Sequence, residues 1–314
     1  MKSRYPLMAL VVAGLFVFSV ESLFSEDTVS MSEWTQIVEK IGNNGNVNWS
    51  AGYIEAVGTG APPARAIGKP EARPLALRAA ELDAKRNLLE ITKGVRIDST
   101  TVVKDFTVES DIINSQVEGF IKGAQVVKKD LMSDGTVEVT VRMPLFGDFS
   151  RIIVPKILER KADATPPVLA PSPVVAPPPA IAPPVVPPAA PAAPSTPVPT
   201  GPVYTGLVVD ARGIQTRPAM APKILDENGQ EVYGSMNVDK EYAVQQGISG
   251  YARDLTAAQS NSRVTNNPLT VKGLKVQGQG RSDIVISNAD AASIRSAADN
   301  LTFMKKCRVM IVLD

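Results

Sequence analysis

At residues 165–202 the chain reads TPPVLAPSPVVAPPPAIAPPVVPPAAPAAPSTPVPTGP. Proline fixes its own φ and biases the preceding residue toward extended backbone, so neither a helix nor a sheet can persist here. The run also lacks charged and aromatic residues, which predicts a semi-rigid, extended, polyproline-type linker. We therefore expect one domain on each side of this linker, at residues 26–164 and 203–314, and we expect the two domains not to pack on each other.

The strongest helical pattern lies on the N-terminal side of the linker, between Pro74 and Gly94. Proline suits the first turn of a helix, and glycine is common just past the last turn. The apolar residues recur at spacings of three and four, as on one face of a helix: Leu77, Ala80, Ala84, Leu88 and Ile91. The alanines in this face predict that the helix lies close on a sheet, with Ala84 against it.

The other elements of this domain are predicted from shorter patterns. In chain order they are a helix at 32–41, strands at 47–58 and 95–104, a helix at 111–122, a hairpin with arms at 124–132 and 136–143, and a helix at 149–158. In the second arm of the hairpin, apolar residues alternate with polar ones: Val137, Val139, Val141 and Met143 share one side. The expected fold is α+β, around one antiparallel sheet.

This domain resembles the Lpp-twenty family of envelope lipoproteins in three stretches: WSAGYIEAVGTG, LRAAELDAKRNLLEITKGVRIDS and VEGFIKGAQVVKKDLMSDGTVEVTVRMPL. The likeness covers residues 47–145, and it extends to proteins of flagellar basal disks and to the first domain of the flagellar H/T-ring protein. It rests on an A-x-x-x-A-x-x-x-L helix followed by Gly-Val and on the D-G-T-V-E-V hairpin. The resemblance implies a structural or assembly role and no chemistry. The lipoprotein cysteine of the family is absent here, so anchorage by lipid is not expected.

The residues after the linker predict a second α+β unit, with one sheet and two helices. In chain order we expect a strand at 203–209, a hairpin with arms at 223–226 and 230–233, a helix at 241–258, strands at 269–276 and 283–286, a helix at 288–298 and a strand at 307–313. Asn228-Gly229 marks the hairpin, because this dipeptide favours tight hairpin turns. Gly247 and Gly250 interrupt the helix predicted at 241–258.

The N-terminus has the pattern of a secretion signal at residues 1–25. Lys2 and Arg4 form a positively charged start, and an apolar stretch at 7–20 follows. That stretch is short for a membrane-spanning helix, and acidic residues come directly after it, so we favour cleavage over an uncleaved anchor. We expect the mature protein to be periplasmic or associated with the outer envelope, held there by protein contacts.

Composition excludes several classes of function. The 33 basic and 32 acidic residues nearly cancel, which argues against the clustered positive charge that nucleic-acid binding requires. Histidine is absent, which removes the commonest general base and metal ligand, and the single cysteine cannot form an intramolecular disulfide. We therefore expect no catalytic, cofactor-binding or metal-binding residues and no small-molecule substrate.

Three fragments resemble the start of known site motifs without completing them. Gly247-Ile248-Ser249-Gly250 has the second glycine of a nucleophile elbow one place early, and no histidine exists to activate the serine. Asp226-x-Asn228-Gly229 lacks the glycine spacing and the distal glutamate of a calcium loop. Gly278-x-Gly280 lacks the third glycine and the helix of a dinucleotide loop. We interpret all three as turns.

Asp210, Arg212 and Arg217, near the end of the first strand of the second domain, are a stronger candidate for a binding function. An aspartate–arginine pair can grip a polar polymer or a partner carboxylate, although a local salt bridge that shapes the loop is the interpretation we favour. Cys307 lies among apolar residues and is expected to be a small buried hydrophobe. The polar residues on the far side of the first helix predict a solvated face: Asp83, Lys85 and Arg86.

Together these patterns predict a non-enzymatic, exported structural or assembly protein of the cell envelope, associated with the flagellum. Its expected partners are envelope proteins or further copies of itself, with the cell wall or the outer membrane as further possibilities. The alternative is a module that binds cell-wall or surface polymer through the C-terminal domain. A hydrolase would need carboxylates alone as acid and base, and no spacing supports such a pair.

Overall fold

The computed structural model describes residues 35–163, 204–296 and 298–314. The fold is α+β, and the N-terminal domain is built on five strands: β1 (Val38–Lys40), β2 (Gly45–Asn48), β3 (Tyr53–Gly60), β4 (Gln125–Leu131) and β5 (Val137–Pro144). They lie in the order β1-β2-β3-β5-β4, and every neighbouring pair is antiparallel. The predicted hairpin is confirmed as β4 and β5. The predicted signal at 1–25 and the linker at 165–202 lie outside the described residues.

Four helices complete this domain: α1 (Ala72–Lys93), α2 (Val103–Glu109), α3 (Asp111–Lys122) and α4 (Asp148–Asp163). The prediction for α1 is confirmed, because Ala80, Ala84 and Leu88 are fully buried where the helix meets the sheet. A Cβ on Gly58 of β3 would lie 2.0 Å from the backbone nitrogen of Ala84. The helix therefore lies directly on the backbone of β3, which requires a glycine on the strand and a small residue on the helix.

The C-terminal domain has a separate sheet of seven strands: β6 (Gly206–Asp210), β7 (Ile224–Leu225), β8 (Glu231–Tyr233), β9 (Gly250–Ala252), β10 (Pro268–Gln277), β11 (Asp283–Ile286) and β12 (Val309–Val312). They lie in the order β8-β7-β11-β10-β6-β12-β9, and the sheet is mixed. The central strands β6 and β12 pair in parallel and are buried along their whole length. Such burial on both faces explains why their sequences are almost continuously apolar.

Four helices accompany the second sheet within the described residues, where the sequence predicted two: α5 (Lys240–Gln246), α6 (Leu255–Gln259), α7 (Asn288–Ser296) and α8 (Ala298–Lys305). The prediction of one helix at 241–258 is wrong, because the strand β9 lies in the middle of this range and separates α5 from α6. Gly247, with φ of 80°, ends α5, and residues 250–252 then pair in parallel with β12. The pairing with a distant strand overrides the local helical preference of this segment.

Two predictions near the N-terminus are also corrected. The described part of the helix predicted at 32–41 contains the strand β1, which pairs with β2 after a turn at Gly42. The strand predicted at 47–58 is divided into β2 and β3 by a turn at Gly52, whose φ is 71°. In both cases the spacing of a few apolar residues was compatible with more than one secondary structure. The turns at Gly42 and Gly52 determine where the strands begin and end.

The strand predicted at 95–104 is absent from the first sheet. Only Arg96 and Val102 form a bridge, and α2 takes the end of the segment. The backbone oxygens of Arg96 and Ile97 instead accept hydrogen bonds from the N–H groups of Met220 and Ala221, at 3.0 and 2.7 Å. The segment therefore makes backbone hydrogen bonds to the C-terminal domain and not to a strand of the first sheet.

The prediction that the two domains do not pack on each other is therefore wrong. Their buried apolar side chains join in one core. Within it the ring centroids of Trp49 and Tyr251 lie 5.9 Å apart in an edge-to-face arrangement. The proline content of a linker predicts the conformation of the linker itself, and it carries no information about whether the surfaces on either side are complementary.

Candidate functional site

A network of charged side chains spans the contact between the domains. Glu39 accepts hydrogen bonds from Arg96 at 3.2 Å, from Arg217 at 2.6 Å and from the indole of Trp49 at 3.2 Å. Burial alone would raise the pKa of Glu39, but the hydrogen bonds and charges of the two arginines outweigh it and hold the pKa below its usual 4.5. Because these donors are already committed to Glu39, the network holds the domains together and is not an open binding site.

The Asp210–Arg212 pair is a local salt bridge, which is the interpretation favoured from the sequence. Arg212 donates two hydrogen bonds to the Asp210 carboxylate, at 2.8 and 3.0 Å, and Lys272 donates a third at 3.2 Å. The hydrogen bonds from Arg212 hold the pKa of Asp210 well below its usual range. Arg217 does not join the pair, since it reaches Glu39 of the other domain.

Gly278 and Gly280 lie in a turn that contacts Ser99 of the N-terminal domain. The N–H of Gly280 donates to the backbone oxygen of Ser99 at 2.6 Å. A Cβ on Gly278 would lie 2.5 Å from the Ser99 Cβ. The Ser99 hydroxyl in turn donates to Asp283 at 2.6 Å, and burial raises the pKa of that carboxyl. These glycines therefore permit close contact between the two domains.

The Asp226 fragment is a hairpin turn. One oxygen of Asp226 accepts from the N–H groups of Asn228 and Gln230, at 3.0 and 2.8 Å, and the other accepts from Arg295 at 2.8 Å. The hydrogen bond from Arg295 and the backbone bonds outweigh burial and lower the pKa of Asp226. Its carboxylate is thus used by the turn itself.

Ser249 and Cys307 are both buried in the core of the C-terminal domain. Ser249 precedes β9, and Cys307 comes two residues before β12 with φ of 54°. Burial raises the pKa of the Cys307 thiol to about 12, so the thiol stays protonated and unreactive. The prediction of a small buried hydrophobe at this position is confirmed.

The polar face of α1 is tied to its surroundings more closely than a solvated face would be. Asp83 accepts a hydrogen bond from the Thr59 N–H at 3.0 Å, and Lys85 donates to the backbone oxygen of Lys122 at 2.8 Å. Arg86 is exposed. These contacts anchor the helix to neighbouring elements and form no site.

The outer edge of the first sheet is a candidate binding surface, and the sequence did not predict which strand forms it. β4 pairs with β5 on one side, and no strand of the described residues lies on its other side. Three large apolar side chains are exposed along it: Val127 by 45%, Leu131 by 51% and Met132 by 42%. The charged residues Lys128 and Asp130 lie between them. The run VVKKDLM lacks the clean alternation of β5, and this was the available sequence signal for an edge strand.

A cleft with a volume of about 650 Å³ opens beside this edge and shares Gln125 and Val127 with it. Arg142 covers the ring of Tyr53 at 4.0 Å and pairs with Glu55 at 3.0 Å. The lining also includes apolar and small residues: Phe120, Gly119, Gly123, Ala124 and Ala51. The cleft thus combines an apolar floor with a few fixed polar groups.

Gly119 is an unusual part of that lining, because it lies inside α3. A glycine within a helix costs about 1 kcal/mol relative to alanine. A Cβ at this position would meet no atom within 4 Å, so the packing of the described residues does not require the glycine. A side chain at this position would extend into open space at the cleft.

The edge and the cleft are suited to binding. An exposed strand edge offers backbone donors and acceptors to an added strand, and an adjacent pocket can take one of its side chains. Within the described part of the chain, no cluster of acidic or cysteine side chains is arranged to hold a metal ion. None of the helices in those ranges combines the length and apolar character that a membrane span needs.

The fold and the site define a two-domain α+β protein in which no strand of the described residues covers the outer edge of the N-terminal sheet. Residues 206–314 match the family described as the second domain of Treponema pallidum Tp0624. The matched residues run from β6 to the last residue and so comprise the second sheet. No curated protein matches the chain.

Proposed function

We propose that the protein acts by association, as a non-enzymatic structural or assembly component of the cell envelope, and that the free edge of β4 carries this association. The supporting observation is the exposure of Val127, Leu131 and Met132 on an edge strand whose outer side no described strand covers. Exposed apolar edge strands readily recruit a further strand. The resemblance of residues 47–145 to the Lpp-twenty family supports a place beside the flagellar motor.

Two further observations support this proposal over a catalytic one. The candidate polar residues of the sequence are each committed to a structural partner: Asp210 to Arg212, Asp226 to Arg295 and Arg217 to Glu39. The signal predicted at residues 1–25 would bring the chain to the envelope. The alternative is a C-terminal domain that binds cell-wall or surface polymer. One candidate for such binding, the Asp210–Arg212 pair, is occupied by its own salt bridge, which does not favour this alternative.

Site-specific photo-crosslinking in intact envelopes tests the proposal. We expect a crosslinking side chain at position 131 to give an adduct with a defined envelope protein or with the chain itself, identified by mass spectrometry. Position 274 is the matched control, because Leu274 is also an apolar strand residue and is exposed by 47%. If position 131 gives no adduct, or if both positions give the same set of adducts, association through β4 is refuted.

A further inference from the structure

We propose that β4 pairs antiparallel with β4 of a second copy of this chain, about a two-fold axis that passes through Lys129. The inference rests on the proposed association and names its partner. It follows from the side-chain pattern of β4, which permits few registers for self-pairing and favours one of them.

The two faces of the sheet limit the possible registers. Lys129 and Leu131 lie opposite the buried Val139 and Val137, and Lys129 reaches Glu81 of α1 at 3.3 Å. These two residues therefore lie on the face that α1 covers, and Lys128 and Asp130 lie on the other face. In a two-fold antiparallel pair, opposite residues lie on the same face of the sheet, so the axis must pass through a residue and not between two residues.

Charge then selects among the remaining axes. Axes through the other residues from Val127 to Leu131 place no lysine of β4 opposite an aspartate of β4, and those at Lys128 and Asp130 also set like charges opposite each other. With the axis at Lys129, Lys128 of each copy lies opposite Asp130 of the other, which gives two reciprocal ion pairs. Opposite charges directly across two strands stabilise the pairing, and like charges destabilise it.

The same register also matches the apolar residues. Val127 stands at an irregularity of β4 between Val126 and Lys128, and in this register it comes beside Leu131 of the other copy. Side chains that are about half exposed in one copy then cover each other. Val127 lines the cleft, and Leu131 of the second copy thus comes to its mouth. The two copies of Lys129 face each other at the axis, where Glu81 of each chain compensates the positive charge.

This arrangement also explains the charges on the edge. In one copy Lys128 and Asp130 pair with each other at 2.8 Å, and such charges oppose unspecific pairing of an edge strand. In the proposed register each of them gains the opposite charge on the second copy. Lys128 and Asp130 therefore disfavour pairing with other strands and favour pairing with β4 of a second copy, which gives specificity for the same chain.

Cysteine crosslinking measures the register directly. Across the axis, the Cα atoms of the two residues 129 lie about 4.5–5.5 Å apart, which is within the range of a disulfide. The two residues 131 lie about 13 Å apart along the strands, which is too far. We expect Lys129→Cys to form a disulfide-linked dimer on mild oxidation and Leu131→Cys to form none, with the native Cys307 buried and silent in both.

Charge exchange supplies the second measurement, by light scattering over a concentration series of the chain from Glu26 onward. Lys128→Asp and Asp130→Lys should each raise the dimer Kd at least about tenfold, because each places like charges across the axis. The double variant should return the Kd to within about threefold of the parent chain.

Crosslinking of Leu131→Cys as fast as Lys129→Cys, or a double variant as weak as the single ones, overturns the register. If the chain stays monomeric while position 131 still crosslinks to another envelope protein, the inference fails and the proposed function stands. If neither association is found, both fail.

Discussion

Substitution of Gly278 by alanine tests whether the two domains pack as described. Gly278 has φ of 78°, and an alanine in that conformation costs about 1–2 kcal/mol. Its Cβ would also lie 2.5 Å from the Ser99 Cβ of the other domain, and overpacking of this kind costs about 1–3 kcal/mol more. We expect Gly278→Ala to lower the free energy of unfolding by both amounts.

A double-mutant cycle with Ser99→Gly separates the two contributions. The single change at Ser99 removes the 2.6 Å hydrogen bond to Asp283 and should cost about 1.5–3 kcal/mol. In the double variant the clash at the Ser99 Cβ is gone and only the backbone strain remains. The combined loss should therefore be smaller than the sum of the single losses by about 1–3 kcal/mol.

Urea titrations near about pH 7, followed by tryptophan fluorescence, give the free energies for this cycle. Gly229→Ala is the matched control, because Gly229 has φ of 79° and a Cβ there would meet nothing within 4 Å. It should show the backbone strain alone and should be additive with Ser99→Gly. Additivity of Gly278→Ala with Ser99→Gly, within about 0.5 kcal/mol, would mean that the two residues do not touch and would refute the packing.

Two further predictions concern α1 and the charged network. Ala84→Leu places a larger side chain where α1 already lies on the β3 backbone, and it should destabilise the chain by about 1–3 kcal/mol in urea; an unchanged midpoint would show that Ala84 does not face the sheet. Glu39 has a lowered pKa in the folded chain, so its contribution to stability is present above pH 4.5 and is lost as the pH falls through the lowered pKa. In melts from about pH 7 to about pH 3, Glu39→Gln should therefore be less stable than the parent at neutral pH and lose less stability in acid; parallel curves would contradict this.

The elements that the sequence predicted best depend on short-range patterns. α1 follows from apolar spacings of three and four between Pro74 and Gly94, and the β4–β5 hairpin follows from an alternating arm and an Asp-Gly turn. These signals are local, because the residues that bury each face lie within a few turns or one hairpin. The α+β class follows from the same patterns.

The elements that the sequence missed depend on partners far away in the chain. The segment at 95–104 has the composition of a strand, but its backbone is satisfied by Met220 and Ala221, and β9 lies within a predicted helix because β12 pairs with it. The candidate site shows the same division. The apolar and charged residues of β4 are visible in the sequence, but the strand order alone places them on an edge.

By itself, the sequence determined the class of the fold, the helix α1, both hairpins and the absence of histidine, since each follows from composition or from neighbouring residues. Only the tertiary structure decided that the domains share a core, that Gly278 and Gly280 contact Ser99, and that β4 is an edge strand among the described strands. Those features depend on the fit between surfaces that are distant in the chain, and a local pattern of residues carries no record of that fit.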